Sequence, residues 1–181
     1  MGRRQKQPAG HPPLNDFSAE TLIERKRDTW PETSTPSVDA VIRLFRVRDI
    51  IYEESRQRVK KEFGLTRAEF EVIVTLRTVH PPYQLTPTQL QKSLLITPGG
   101  MTKVLHNLES RKLISRSRDT GDGRSLSVRL TQKGVALAEK VLPLVIEGYA
   151  EQLSEGLTVK QIEQLSSLLK RLLAALEPRS A

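Results

Sequence analysis

Between residues 97 and 131 the hydrophobic period of this chain changes from about 3.6 to 2, and that one change limits the folds open to it. Met101, Val104, Leu105 and Leu108 recur at i, i+3, i+4 and i+7, which is one face of a helix. Gly99, Thr102, Lys103, His106 and Asn107 are left on the opposite face. Small, amide and cationic side chains there suit the reading of base edges in a major groove. After Lys112 the pattern is that of strands. Residues 113–118 lead out, Asp119, Thr120, Gly121, Asp122 and Gly123 form a turn, and Leu126, Val128 and Leu130 alternate on the return. Asp and Gly supply the positive φ angles of a tight hairpin. The hairpin carries Arg116, Arg118, Arg124 and Arg129, so its solvent side is expected to be cationic. A polar-faced helix running into a basic two-stranded hairpin is the element order of a winged helix-turn-helix.

Charge supports the same reading. The 181-residue chain has a formal net charge of +8 and no cysteine. Residues 97–131 hold Lys103, Arg111, Lys112, Arg116, Arg118, Arg124 and Arg129 against Glu109, Asp119 and Asp122. Half of the excess thus falls within about a fifth of the length, which argues for phosphate contact over a merely solvated face. Absence of cysteine excludes disulfides, thiolate metal sites and thiol redox sensing. Hydrophobic residues make up 37% and aromatics 4%, so the core must be aliphatic, which favours helix-on-helix packing. No long uncharged apolar run or signal peptide is visible, and the expectation is a soluble, cytoplasmic protein.

Residues 1–15 are basic and proline-rich and are expected to be disordered, either as an arm brushing DNA phosphates or as an untethered tail. Residues 18–27 read as a short helix resting on Leu22 and Ile23, ended by Trp30 and Pro31, with a linker at 32–37. Residues 38–63 form the first long helix, with Val38, Val41, Ile42, Phe45 and Ile50 in one stripe and Gly64 as its stop. Thr66 and Glu69 make a capping box for a helix that buries Phe70, Ile73, Val74 and Leu76. Thr86, Pro87 and Gln89 repeat the device for a short helix holding Leu90, Leu94 and Leu95. Thr97 and Pro98 open the recognition helix. Thr131 starts a long helix through Val135, Leu137, Val141, Leu144, Val145 and Tyr149, which Pro143 should kink and Gly156 should end. Thr158 and Gln161 cap a last helix in which Ile162, Leu165, Leu169, Leu172 and Leu176 make a heptad-like seam.

No catalytic constellation is present. The histidines are His11, His80 and His106; His106 and Glu109 could share a metal but lack further ligands, so no metal site is expected. Patterns for a nucleophile elbow, a P-loop or a dinucleotide fold are missing. Gly99 and Gly100 more plausibly let the backbone approach DNA than cradle a free phosphate. The classes left are a DNA-binding regulator and a winged module that binds protein, with an enzyme of unrecognised site the weakest.

Asp119, then Asp122, Gly123 and Arg124, then Leu126, Val128, Leu130, Thr131 and Gly134, form an ordered pattern by which the chain resembles the MarR family of transcriptional regulators. The resemblance runs from about residue 38 to the C-terminus. It implies a mainly α fold with a small β-hairpin wing: a winged helix-turn-helix domain at 65–131, a helical dimerisation region at 38–64 and 132–177, and an N-terminal extension at 1–37. It also implies a homodimer that binds a pseudo-palindromic operator in double-stranded DNA, as a repressor that a small molecule releases. The DNA contacts implied are Thr97, Gly99, Gly100, Thr102, Lys103, His106, Asn107, Arg116, Arg118, Asp122 and Arg124, with Arg124 in the minor groove. Residues 69–77, 83–88 and 99–102 look most like the urate-responsive, PecS-like branch, for which Trp30, Glu71, Arg77 and Lys103 would be the effector ligands. Glu71 replaces that branch's Asp, and Lys103 and Asn107 stand where it has arginines. Lysine lacks the planar fork a purine anion needs, so the effector expected is a small aromatic or anionic molecule rather than urate, with no other cofactor. Trp30 equally suits a hydrophobic anchor, and Arg77 a salt bridge.

Overall fold

The computed structural model describes residues 17–94, 96–118 and 126–177. They form seven helices and three short strands, in two compact units whose boundary falls between Glu53 and Glu54, inside the second helix.

In the first unit α1 is Ala19–Thr29, and Ser18 caps it by accepting from the Thr21 N–H at 3.2 Å. Thr21 and Ile23 are its buried residues. Leu22, expected to pack, is 46% exposed. The expected linker is shorter than its composition suggests: Pro31–Thr33 winds a 3-10 turn, and α2 starts at Pro36. Thr35 supports that start by accepting from the Val38 N–H at 3.3 Å. Arg27 binds Asp39 at 2.6 Å and Arg43 binds Glu20 at 2.8 Å.

α2 spans Pro36–Phe63 and ends at Gly64, whose φ of 61° is one that glycine adopts without steric cost. The second unit continues with α3, Arg67–Thr78. Its capping box is complete: Glu69 accepts from the Thr66 N–H at 2.8 Å, and Thr66 accepts from the Glu69 N–H at 3.3 Å. Phe70, Ile73 and Leu76 are buried as expected, but Val72 is fully buried whereas Val74 is only partly so. Residues 69, 72, 73 and 76, at i, i+3, i+4 and i+7, make one buried stripe with Phe70 at its edge, so Val72 belongs to it and Val74 lies at its margin. The second box also forms, Gln89 accepting from Thr86 N–H at 2.8 Å and Thr86 from Gln89 N–H at 3.2 Å, which opens α4, Pro87–Leu94. Leu95 lies outside the described residues.

α5, Pro98–Ser110, is followed by β2, Ile114–Arg118, and β3, Leu126–Leu130, antiparallel with Ile114 opposite Leu130 and Arg116 opposite Val128. The hairpin is not alone. A two-residue strand β1, Gln84–Leu85, pairs with the far edge of β3 and makes a three-stranded sheet in the order β1-β3-β2. Two residues are too few for a visible alternation, so only the fold reveals this strand.

α6, Gln132–Ser154, continues through Pro143 as one helix and stops before Gly156. Ala138 and Gly148 join Val141 and Val145 on its buried side. α7, Val159–Leu176, carries its capping box, Thr158 with Gln161. The core of this unit is aliphatic apart from Phe70: Val59, Leu65, Ile73, Leu76, Leu90, Met101, Leu105, Leu108, Leu113, Val128 and Val141 are all nearly or fully buried. Among the described residues no helix is long and apolar enough to cross a membrane.

Candidate nucleic-acid interface

The helix α5 is seated by its apolar face. Met101, Val104, Leu105 and Leu108 are buried, each fully buried leucine contributing roughly 1.5–3 kcal/mol. Gly99, Thr102, Lys103 and His106 are exposed along the opposite side, and Asn107 is half-buried beside them. Thr97 is the N-cap, accepting from the Gly100 N–H at 3.3 Å. The Thr102 hydroxyl donates to the Pro98 carbonyl at 3.1 Å. A Cβ on Gly99 would meet nothing within 4 Å, whereas one on Gly100 would press on Thr97 Oγ1 at 3.0 Å. The smallness of Gly99 therefore serves nothing inside the fold.

At its other end α5 is bound into the molecule by backbone groups. Lys112 takes φ 58°; its N–H donates to Glu109 O at 2.8 Å, and the Leu113 N–H reaches back to Leu108 O at 2.9 Å. These two bonds are a Schellman motif, with lysine where glycine would be easier. The freed carbonyls are then taken by the start of α6. Thr131 donates its N–H to Leu113 O at 3.1 Å and its hydroxyl to Lys112 O at 2.8 Å, and Lys133 Nζ donates to Arg111 O at 3.0 Å. A Cβ on Gly134 would sit 2.0 Å from Leu113 O. The Leu130, Thr131, Gly134 pattern thus has a physical reason: α6 can dock on the end of α5 only where residue 134 has no side chain. Arg111, counted from sequence among the cations of residues 97–131, spans to the end of α2, donating to Phe63 O and Gly64 O at 3.1 Å each.

The wing arginines do not share one cationic side, which corrects the sequence expectation. Residues opposite each other in the register lie on the same sheet face. Arg116 therefore lies with Ile114, Val128 and Leu130, on the face whose residues enter the core, while Arg129 lies with Ser115 on the other. Arg116 is turned to α5, where its Nε donates to Glu109 Oε2 at 2.8 Å and its Nη2 to the same oxygen. That bonding holds the Glu109 carboxyl below the usual carboxylate range and raises the Arg116 guanidinium further. Arg118 closes β2. Asp119, Asp122, Gly123 and Arg124 lie outside the described residues.

Of the suggested effector residues, Glu71 and Arg77 are each held in an ion pair. Glu71 accepts from Arg67 at 2.8 Å, and Arg67 also bonds Ser55 at 3.1 Å and lies over the Phe70 ring. Arg77 donates to Glu139 at 3.0 Å and lies over Tyr83, 4.8 Å from the ring centroid, which is the salt-bridge reading of this residue. A cleft of about 240 Å³ opens beside it, lined by Val74, Arg77, Thr78, Ala138, Glu139 and Leu142, with neither Glu71 nor Lys103 in its wall. Trp30, 63% exposed, belongs to the other unit. Among the described residues no cluster of three or more His, Asp or Glu could hold a metal ion.

Helices α4 and α5, with the sheet of β1, β3 and β2, are the parts of a winged helix-turn-helix. The MarR-family model matches residues 63–125. The multiple antibiotic resistance protein MarR of Escherichia coli is 30% identical over 124 residues, covering 66% of this chain and 84% of that protein. The regulator PecS of Dickeya dadantii is 27% identical over 133 residues, covering 74% and 80% respectively. A structure of a cysteine-to-serine variant of E. coli MarR complexed with operator DNA superposes with a TM-score of 0.60 at 26% identity, over 77% of this chain and 99% of that one. The chain belongs to the MarR family, whose members are transcriptional regulators and not enzymes, and the match to PecS accords with its resemblance to the PecS-like branch.

Proposed function

We propose that this chain is a homodimeric, effector-responsive repressor that binds a pseudo-palindromic operator. α5 enters the major groove through Gly99, Thr102, Lys103, His106 and Asn107, and the wing reaches the minor groove through Arg124. The reading rests on the exposed polar and cationic side of α5, in a chain whose E. coli relative is known in complex with operator DNA. Residues 65–131 are then the DNA-reading domain, 38–64 and 132–177 the dimerisation region, and 1–37 an extension.

Dimerisation is favoured by apolar side chains that the single chain leaves in water, above all Leu165, Leu168, Leu172, Leu173 and Leu176 of α7. Twofold pairing also sets two recognition helices one DNA turn apart, which doubles the sequence read. A small aromatic or anionic effector suits the cleft beside Arg77, whose size is just under the range of about 300–1,000 Å³ common for ligand sites.

The test is binding to the DNA upstream of the chain's own gene across a range of salt, wild type beside Arg124→Ala. The expected outcome is a steep fall of affinity with salt and a loss of about 1–3 kcal/mol in the variant. Flat, weak binding indifferent to the mutation would point to a winged module that binds protein instead.

A further inference from the structure

A winged helix-turn-helix meets DNA with two separate pieces of chain, and the angle between them must match the offset between adjacent grooves. Here backbone hydrogen bonds join them at the root, through Lys112 and Leu113. Further out along β2 the described residues link them through Glu109 and Arg116. Glu109, on the last turn of α5, receives two donors of the Arg116 fork on one carboxylate oxygen. A planar guanidinium fixed at two nitrogens resists rotation in a way that a single bond does not. The pair is partly shielded, the side chains being 28% and 36% exposed, so water screens it less than it would a free surface pair. It is also neutral as a unit, and it withdraws from the wing an arginine that would otherwise face phosphate.

We propose that Glu109 is a positioning residue for DNA recognition. Acting through Arg116, it sets the angle between the recognition helix and the wing, and Arg116 is the other end of that strap and not a phosphate contact. The inference rests on the DNA-binding reading above. Breaking the strap frees one guanidinium, which raises sequence-independent attraction, and loosens the wing, which lowers operator preference.

The experiment measures affinity for operator and for an unrelated duplex of equal length, at several salt concentrations. It compares wild type, Glu109→Gln, Arg116→Lys, Arg116→Glu, Glu109→Arg and the reversed pair Glu109→Arg with Arg116→Glu. Glu109→Gln is expected to lower the ratio of operator to unrelated binding about tenfold, the scale of one coupled pair. Arg116→Lys, which keeps the charge but not the fork, should fall between it and wild type. The reversed pair should recover to within about threefold, with the wild-type salt slope, while each reversal alone does not.

A reversed pair as weak as Arg116→Glu alone, with a salt slope shallower by about 1, would make Arg116 a phosphate contact and overturn the proposal. A ratio unchanged in every variant while the unfolding midpoints fall would make the pair a stabilising contact only, since loss of folded protein lowers both affinities alike. Wild-type binding without salt dependence would instead remove the DNA-binding reading, and the proposal with it.

Discussion

Within residues 54–181 the lobe around α5 and the helix α7 carry hydrophobic patterns of similar regularity, yet the lobe buries its pattern and α7 buries none of it. Leu108 and Val128 are wholly buried in the lobe, and the backbone carbonyls of residues 111–113 accept from Thr131 and Lys133. α7 has a complete capping box and a seam of leucines, but none of its residues is buried, and Leu176 is 71% exposed. Local signals are enough to wind a helix. They do not say where it will lie. The lobe supplies its own partners for most of its apolar residues, whereas α7 has a face made for contact that the described residues of one chain leave largely exposed.

The largest effect is expected where the lobe is tightest. Gly134→Ala should destabilise it by about 3 kcal/mol, because a backbone carbonyl stands where the methyl must go; urea unfolding followed by far-UV circular dichroism would measure it. If the variant unfolds at the wild-type midpoint, the α5–α6 joint is looser than its geometry. Next comes the other half of the comparison. Leu172→Lys with Leu176→Lys should cost the assembly about 2 kcal/mol or more by removing leucines from the shared face. Sedimentation should then show a smaller particle, with the lobe's spectrum unchanged. A change in the lobe without a change in mass would mean that α7 folds back on its own chain.

A smaller effect, about tenfold in affinity, is expected for Lys103→Ala, together with a salt slope reduced by about 1 and no loss of stability. Lys112→Gly should stabilise the lobe by about 1 kcal/mol, since it relieves a left-handed backbone at a non-glycine residue. The smallest effect concerns pH. The depressed pKa of Glu109 means that its pairing with Arg116 contributes fully above the unfolded carboxylate value and is lost as pH falls through the lower folded value. Hydrogen exchange at Arg116 Nε should therefore be insensitive to pH around neutrality, apart from its intrinsic rate, and lose protection only in acid below the ordinary carboxylate range.

What could be read from sequence followed from how local each feature is. Three capping boxes, the two caps at Thr97 and Thr131, and the face of Met101, Val104, Leu105 and Leu108 are written within one or two turns of chain, and all are present. Features made by distant segments were hidden. β1 exists because residues 84 and 85 meet the edge of β3 about 44 residues later, at Arg129 and Val128. Arg111 was one more cation in the count for residues 97–131, and its bonds to the end of α2 come from a segment 47 and 48 residues away. Arg116 was legible as part of a basic hairpin, but its face depended on the register of β2 against β3, which composition does not reveal. Lys112 gave no sign of its left-handed backbone, because the usual marker, a glycine, is not there.

The joint between α5 and α6 has a consequence for how such a molecule diverges. It is built from carbonyls, amides, one hydroxyl, one amine and a missing Cβ, all at the ends of the two helices. Gly99, Thr102, Lys103 and His106 take no part in it, and a side chain added at position 99 would meet only open space. The outer side of α5 is thus an editable surface on a fixed mount: its residues can drift toward a new target sequence one at a time, while the scaffold that presents them stays as it is.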